Sequence, residues 1–149
     1  MPASDYWQAW FDGSALPNPG RMGVGIVLQA PDGQRQQQSF VPRDSGCNNE
    51  AELLALCAVL TLAHDAGARR VQVRGDSDIA VRYVNRTDTT SIERLCLLIE
   101  RAQTLVEMFD DVDLSWVPRH RNQAADDLSR AALGLPSKPA VVGQRRRRK

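Results

Sequence analysis

Four acidic residues stand at four separate places in the chain. They are Asp12 in WFDGSALPNPG, Glu52 in NNEAELLAL, Asp76 in VQVRGDSD and Asp126 in RNQAADDLSRAA. If the fold brings them together, their charges repel strongly, and such a cluster persists only with cations between its members or with raised pKa values. Carboxylate oxygens are the ligands that Mg²⁺ and Mn²⁺ prefer. A fold that gathers these four would therefore hold a pair of divalent ions, which is the arrangement that cleaves phosphodiesters.

The spacing of apolar residues changes near Asn48. Before it, segments bounded by Pro and Gly predict an antiparallel meander of three strands, with a hairpin turn at PDGQ and a third strand polar enough to be an edge. After it, apolar residues recur at helical spacing. The predicted elements are strands at 6–13, 23–30, 35–42, 70–75 and 112–117, and helices at 48–66, 77–85, 91–109 and 122–133. This order predicts an α/β fold with one mixed sheet and helices on both faces.

Length and composition fit a single domain with a hydrophobic core. The chain has 149 residues, 42% of them hydrophobic, and no stretch reaches the roughly 18 apolar residues that span a bilayer. Its first residues lack the pattern of a secretory signal. The three cysteines, Cys47, Cys57 and Cys96, have no metal-type spacing. We therefore expect free thiols in a reducing cytoplasm.

The basic residues are concentrated at the end of the chain. The net charge is +1, but the last five residues, 145–149, are all basic and leave 14 basic against 18 acidic side chains in the rest. An acidic body is unusual for a nucleic-acid-binding protein. We expect one domain at 1–136 and a flexible basic tail at 137–149. That tail is either a tether to phosphates or an unstructured solubilising end.

Four segments together resemble the signature segments of type-1 ribonuclease H, in order and in spacing. They are WFDGSALPNPGRMGVGIVL, NNEAELLALCAVL, VRGDSD and VPRHRNQAADDLSRAA, and the resemblance covers residues 7 to about 134. It implies a five-stranded mixed sheet, made of a three-stranded meander and two parallel strands. It also implies an endoribonuclease that cuts the RNA strand of RNA–DNA hybrids and leaves 5′-phosphate and 3′-hydroxyl ends. The basic handle of some bacterial members is absent, so the chain resembles a compact form.

By position, the resemblance implies that Asp12, Glu52, Asp76 and Asp126 are the catalytic metal ligands for two Mg²⁺ ions, with Mn²⁺ as a substitute. Asp12 would lie on the central strand, and Asp76 would end the neighbouring strand. Glu52 would reach in from the first long helix. Asp126 would sit near the start of the last helix.

Two other acids compete with these assignments. Glu50 and Asp127 lie close to Glu52 and Asp126 in the sequence. Residues one or two apart on a helix point about 100° or 200° away from each other, so only one of each pair can face a common site. The resemblance favours Glu52, three residues after Asn49, and the first aspartate of ADDL.

The resemblance also implies residues that touch the substrate. Asn48 and Asn49 occupy the asparagine pair that reads the 2′-hydroxyl across the minor groove, and Asn18 takes the position of a further groove contact. The alternatives are turn capping for Asn18 and helix N-capping for Asn48. His120 would assist proton movement or product release; the alternative is an exposed loop histidine. Cys47 replaces the threonine that helps many relatives to hold a DNA phosphate.

Three functions remain to be distinguished. The first is a ribonuclease H that acts as a monomer on RNA–DNA hybrids. The second is a non-catalytic module that binds hybrids or double-stranded RNA. The third is another nuclease of the same fold, such as a resolvase or transposase core. The four acids favour an enzyme, and the asparagine pair favours the ribonuclease.

Overall fold

The computed structural model of the chain describes residues 5–137. Its strands are β1 (Trp7–Leu16), β2 (Arg21–Gln29), β3 (Arg35–Phe40), β4 (Arg70–Gly75) and β5 (Asp111–Trp116). Its helices are α1 (Asn48–Asp65), α2 (Asp78–Val84), α3 (Glu93–Val106) and α4 (Gln123–Ala132), with a 3-10 turn at Arg119–Arg121. The predicted order of elements is confirmed. The expected basic tail lies outside the described residues apart from Ser137.

All five strands form one mixed sheet with the order β3-β2-β1-β4-β5. The pairs β1–β2 and β2–β3 are antiparallel, and β1–β4 and β4–β5 are parallel. The predicted five-stranded α/β fold is therefore confirmed, with β1 at the centre. The third strand is an edge as predicted, and all six of its residues are exposed.

Neighbouring residues of β1 show that α1 and α4 cover opposite faces of this sheet. Successive residues of a strand point to opposite faces. A Cβ at Gly13 would overlap the Ala51 carbonyl of α1, whereas a Cβ at Gly25, which pairs with Asp12, would overlap the Ala125 carbonyl of α4. The two glycines therefore let one helix approach each face closely, and Asp12 points to the α4 side.

The main core lies between the sheet and α1, with α2 and α3 completing it. Phe11 of β1 is fully buried and packs in one cluster with Leu53, Leu56 and Leu60 of α1. A buried side chain of this size contributes about 1.5 to 3 kcal/mol. This packing holds α1, and with it Glu52, rigidly against the central strand.

Most element bounds differ from their predictions by one or two residues, and the largest differences are at the ends of β1 and α3. The first strand continues past residue 13 to Leu16, because its last residues pair with the start of β2 as far as Arg21. The third helix ends at Val106 rather than at residue 109, since the Met108 amide turns back onto the Leu105 carbonyl. The hairpin at residues 31–34 forms as predicted, and Gly33 there has a φ of +94°. No helix within residues 5–137 has the length and apolar character needed to cross a membrane.

Candidate active site

The parallel pair β1–β4 places Asp12 beside Asp76. Phe11 and Gly75 form the last pair between these strands. Asp12 follows Phe11 directly, and Asp76 follows Gly75. Parallel strands end at the same edge of a sheet, which makes this edge a common place for ligand sites. The two carboxylates therefore meet at the carboxyl end of β4.

Glu52 reaches the same place from α1. Its Oε1 accepts a hydrogen bond from the Gly13 amide at 3.1 Å, which ties it to the strand that carries Asp12. One carboxylate oxygen from each of Asp12, Glu52 and Asp76 lies within 4.8 Å of the other two. Asp12 and Glu52 are only 5% and 9% exposed. Three oxygen ligands at this separation can surround a divalent cation.

Asp126 joins the three acids from the first turn of α4, and its charge is one of those that raise the pKa of Asp12 and of Asp76. It is 7% exposed and lines the same cavity of about 280 Å³, although it lies outside the group of three oxygens within 4.8 Å. We call this space the acidic cavity. Its wall is formed by Asp12, Gly13, Ser14, Asn48, Asn49, Glu52, Asp76, Ser77, Arg119, Asp126 and Arg130.

The two competing acids take other places. Glu50 accepts hydrogen bonds from the Cys47 amide and from Arg94, both at 3.0 Å, so it closes the amino end of α1. Asp127 is half-buried, and it is not part of the cavity wall formed by the described residues.

Three carboxylates of the acidic cavity, those of Asp12, Glu52 and Asp76, resist ionisation. Burial first, and then the charge of Asp76, raise the pKa of Asp12 from 3.8 to about 8. Burial and the charges of Asp12 and Asp76 hold the pKa of Glu52 well above its usual value. The pKa of Asp76 is also raised, chiefly by burial. A divalent cation would remove this penalty, because it favours the ionised form of every carboxylate around it.

Two buried polar residues hold the acids, and the sequence analysis did not single them out. The Asn122 amide nitrogen donates to the Phe11 carbonyl at 2.9 Å and to Asp76 Oδ2 at 3.2 Å. The Ser129 hydroxyl donates to Asp12 Oδ2 at 2.5 Å. Their signal in the sequence is spacing, because they lie four residues before and three residues after Asp126 and so share its helix face.

Positive charge also borders the acidic cavity. Arg119 and Arg130 line it, and the charge of Arg119 partly offsets the raised pKa of Glu52 and of Asp76. His120 follows Arg119 in the 3-10 turn but is exposed, and the described part of the chain does not place it on the cavity wall. Arg121 of the same turn is likewise exposed.

The asparagines connect the start of α1 to β1 and to the turn that follows β1. Asn48 Oδ1 accepts from the Ala15 amide at 2.8 Å, and Asn18 Oδ1 accepts from the Asn48 amide at 2.9 Å. Helix N-capping by Asn48 is wrong, because Cys47 holds the cap position and the Asn48 side chain instead reaches β1. Turn capping by Asn18 is also wrong in this form, since its oxygen satisfies the first amide of α1. Asn49 lines the cavity beside Asn48.

The chain is similar to known ribonucleases H over most of its described length. Residues 10–132 match the family model described as reverse transcriptase-like. The curated ribonuclease HI of Halobacterium salinarum is 36% identical over 125 residues, which are 84% of this chain and 63% of that protein. The chain thus spans less than two thirds of the length of this relative.

Solved structures extend the similarity to the fold. The crystal structure of RNase H1 from Halobacterium salinarum superposes with a TM-score of 0.82 at 35% identity, covering 87% of this chain and 98% of that one. LC11-RNase H1 in complex with an RNA/DNA hybrid has a TM-score of 0.78 at 25% identity, covering 86% and 96%. The resemblance seen in the sequence is confirmed. The chain belongs to the reverse transcriptase-like family and, within it, to the type-1 ribonucleases H.

Proposed function

We propose that this domain is an endoribonuclease that hydrolyses the RNA strand of RNA–DNA hybrids, leaving 5′-phosphate and 3′-hydroxyl ends. The observation that carries the proposal is the convergence of Asp12, Glu52 and Asp76 within 4.8 Å, with Asp126 lining the same cavity. Its relatives include a protein named ribonuclease HI and an RNase H1 bound to a hybrid.

The four acids would hold two Mg²⁺ ions, or Mn²⁺ in their place. The donor set fits such ions, since it consists of hard carboxylate oxygens. The raised pKa values of Asp12 and Glu52 agree with this, because a cation would favour their ionised forms. When bound, such ions would lower the pKa of a coordinated water and stabilise the negative charge on the leaving oxygen. The protein's own contribution is to keep its carboxylates in place on β1, β4, α1 and α4.

The arginines at the cavity are suited to bind phosphate. Arg119 and Arg130 line the same cavity as the four carboxylates, and guanidinium is a preferred partner for phosphate oxygens. They balance part of the negative charge that would otherwise repel a nucleic acid. His120, exposed on the same turn as Arg119, would assist proton movement or product release.

Asn48, Asn49 and Asn18 would distinguish RNA from DNA. Because the oxygens of Asn18 and Asn48 accept from backbone amides, their side-chain orientation is set, and their amide NH₂ groups are the donors that remain for a ligand. A 2′-hydroxyl in the minor groove can accept such a hydrogen bond. Asn49 is the neighbouring donor on the cavity wall.

The domain would act as a monomer in the cytoplasm. One chain contributes all four acids to the acidic cavity, so a second copy is not needed to complete the site. The free thiols of Cys47, Cys57 and Cys96 fit a reducing compartment.

Cleavage of labelled duplexes tests the proposed activity. RNA–DNA hybrid, double-stranded RNA and double-stranded DNA are incubated with the protein, with Mg²⁺ or with EDTA, and products are resolved on a gel. We expect Mg²⁺-dependent cuts within the RNA strand of the hybrid alone, and none with Asp12→Asn. Asp113→Asn, which removes an exposed carboxylate of β5, is the matched control and should cleave normally.

The same gel separates the alternatives. Binding of hybrid without cleavage would indicate a non-catalytic module, and cleavage of DNA duplexes would indicate another nuclease of this fold. Substantial Mg²⁺-dependent cleavage by Asp12→Asn would refute the assignment of the site.

A further inference from the structure

We propose that Ser129 is a positioning residue that joins Asp12 and Asp126 into one set of metal ligands. The proposal rests on the proposed function and concerns the half of the acidic cavity that β1 and α4 build together. The hydrogen bond between Ser129 and Asp12 aligns α4, on one face of the sheet, with the central strand β1.

The Ser129 side chain contacts the Asp12 carboxylate and the backbone of Asp126. It is fully buried, and its Oγ is 2.5 Å from Asp12 Oδ2 and 3.0 Å from the Asp126 carbonyl oxygen. A hydroxyl carries one proton, so it donates to one of these oxygens at a time. The contact to Asp12 is the shorter one, and it becomes a charge-assisted hydrogen bond once a bound cation keeps this carboxylate ionised.

The backbone of α4 comes close enough for this contact because β2 carries glycine opposite Asp12. Gly25 pairs with Asp12, and a Cβ there would overlap the Ala125 carbonyl and the Ser129 amide. A Cβ at Gly23 would meet the Ser129 carbonyl at 2.5 Å. The helix α4 therefore packs directly on the β2 backbone at these two glycines. A side chain as short as serine is then long enough to reach β1.

This contact restricts the Asp12 carboxylate. The Ser129 hydroxyl occupies one lone pair of Oδ2 on the side of α4. The other lone pairs of the carboxylate remain available to the acidic cavity, and the hydrogen bond hinders rotation of the carboxylate. Because Ser129 lies one turn after Asp126, the same contact sets how far Asp126 stands from Asp12. Hydrogen bonds that orient metal ligands in this way commonly change metal affinity by about 10- to 100-fold.

A second serine offers a matched control. The Ser39 hydroxyl of β3 donates to the Leu128 carbonyl at 2.6 Å, so it also ties α4 to the sheet through one hydrogen bond. It touches none of the four acids. If Ser129 only docked the helix, the variants Ser129→Ala and Ser39→Ala would affect the metal site alike.

The decisive measurement is divalent-ion binding without nucleic acid. Calorimetric titration of the full chain with Mn²⁺ should give about tenfold weaker binding for Ser129→Ala and a change of less than twofold for Ser39→Ala. In hybrid cleavage, the Mg²⁺ concentration for half-maximal rate should rise about tenfold for Ser129→Ala. Its KM for hybrid at saturating Mg²⁺ should stay within twofold of wild type.

Several results would overturn the proposal. These are an Mn²⁺ affinity of Ser129→Ala within twofold of wild type, an equal loss in Ser39→Ala, or a wild type that binds no Mn²⁺. If Ser129→Ala does not fold, Ser129→Cys provides the comparison, because a thiol is a weak donor and should weaken Mn²⁺ binding in the same direction. A wild type that binds Mn²⁺ but cuts no hybrid would refute the proposed function while the serine comparison still decides this proposal.

Discussion

Replacing Asp12 by asparagine should stabilise the metal-free protein at neutral pH. Burial and the nearby Asp76 charge raise the pKa of Asp12 from 3.8 to about 8. At pH 7 the native carboxyl therefore keeps its proton, whereas the unfolded chain has lost it. Because the unfolded state binds fewer protons, the free energy of unfolding falls as pH rises from about 4 towards 8, by about 1.4 kcal/mol per pH unit.

The size of the effect follows from this slope. Between pH 5 and pH 7, Asp12 lowers the free energy of unfolding by at most about 2.7 kcal/mol. Asparagine has nearly the same shape and does not ionise. Since Glu52 and Asp76 share the repulsion, we expect Asp12→Asn to gain about 2 kcal/mol over wild type across this interval. That corresponds to about 6 °C in Tm for a domain of this size.

Urea denaturation in EDTA at pH 5, 6 and 7 measures this difference. Asp113→Asn, at an exposed position of β5, serves as the control and should follow wild type at each pH. Added Mg²⁺ should narrow or reverse the gap, because an ion that binds only the native wild type stabilises it. The reasoning is refuted if Asp12→Asn is no more stable than wild type at pH 7, or if its advantage is the same at pH 5.

Two further pairs of variants separate site residues from their neighbours. Glu52→Gln should lower kcat by about 10³-fold, since a metal site contributes several kcal/mol. Glu50→Gln should leave kcat within about threefold and cost about 1 kcal/mol in urea denaturation, because it opens the end of α1. Equal losses of kcat would contradict both expectations. Arg119→Ala should raise KM for hybrid about tenfold through loss of a charged hydrogen bond, yet tighten Mg²⁺ binding measured without substrate. Arg121→Ala, on the same turn but not on the described cavity wall, should change neither by more than twofold, and matching effects of the two arginines would rule out a specific role for Arg119.

Much of the fold could be predicted from local pattern. Alternation of apolar residues, the turn at PDGQ and the helical spacing after Asn48 led to the correct number, type and order of elements. The errors lie at ends. The extension of β1 to Leu16 depends on its partner strand, and the early end of α3 depends on a turn at Leu105. The first depends on a contact between two strands, whereas the second is a local turn that the spacing of apolar residues did not mark.

The site was less accessible to the same reasoning. Helix geometry required that only one of Glu50 and Glu52 face it, but left open which one. The structure shows the reason for the difference, because Glu50 is engaged by Arg94 of α3. Asn48 has the composition of a helix cap, yet its oxygen bonds to Ala15 on another element. Such partners are 33 and 44 positions away in the chain.

The amino-acid sequence alone established that the chain forms one mixed sheet with four helices and carries four acids on four different elements. The period of hydrophobic residues and the turn residues act over a few positions, so the secondary structure that they determine can be predicted from the sequence. Only tertiary packing decided that Ser129 would donate a hydrogen bond to Asp12 and that Asn122 would donate one to Asp76. It also decided that burial would raise the pKa of these two carboxyls. These properties arise where α4 meets β1, more than a hundred residues apart in sequence, and depend on distances that no local pattern encodes.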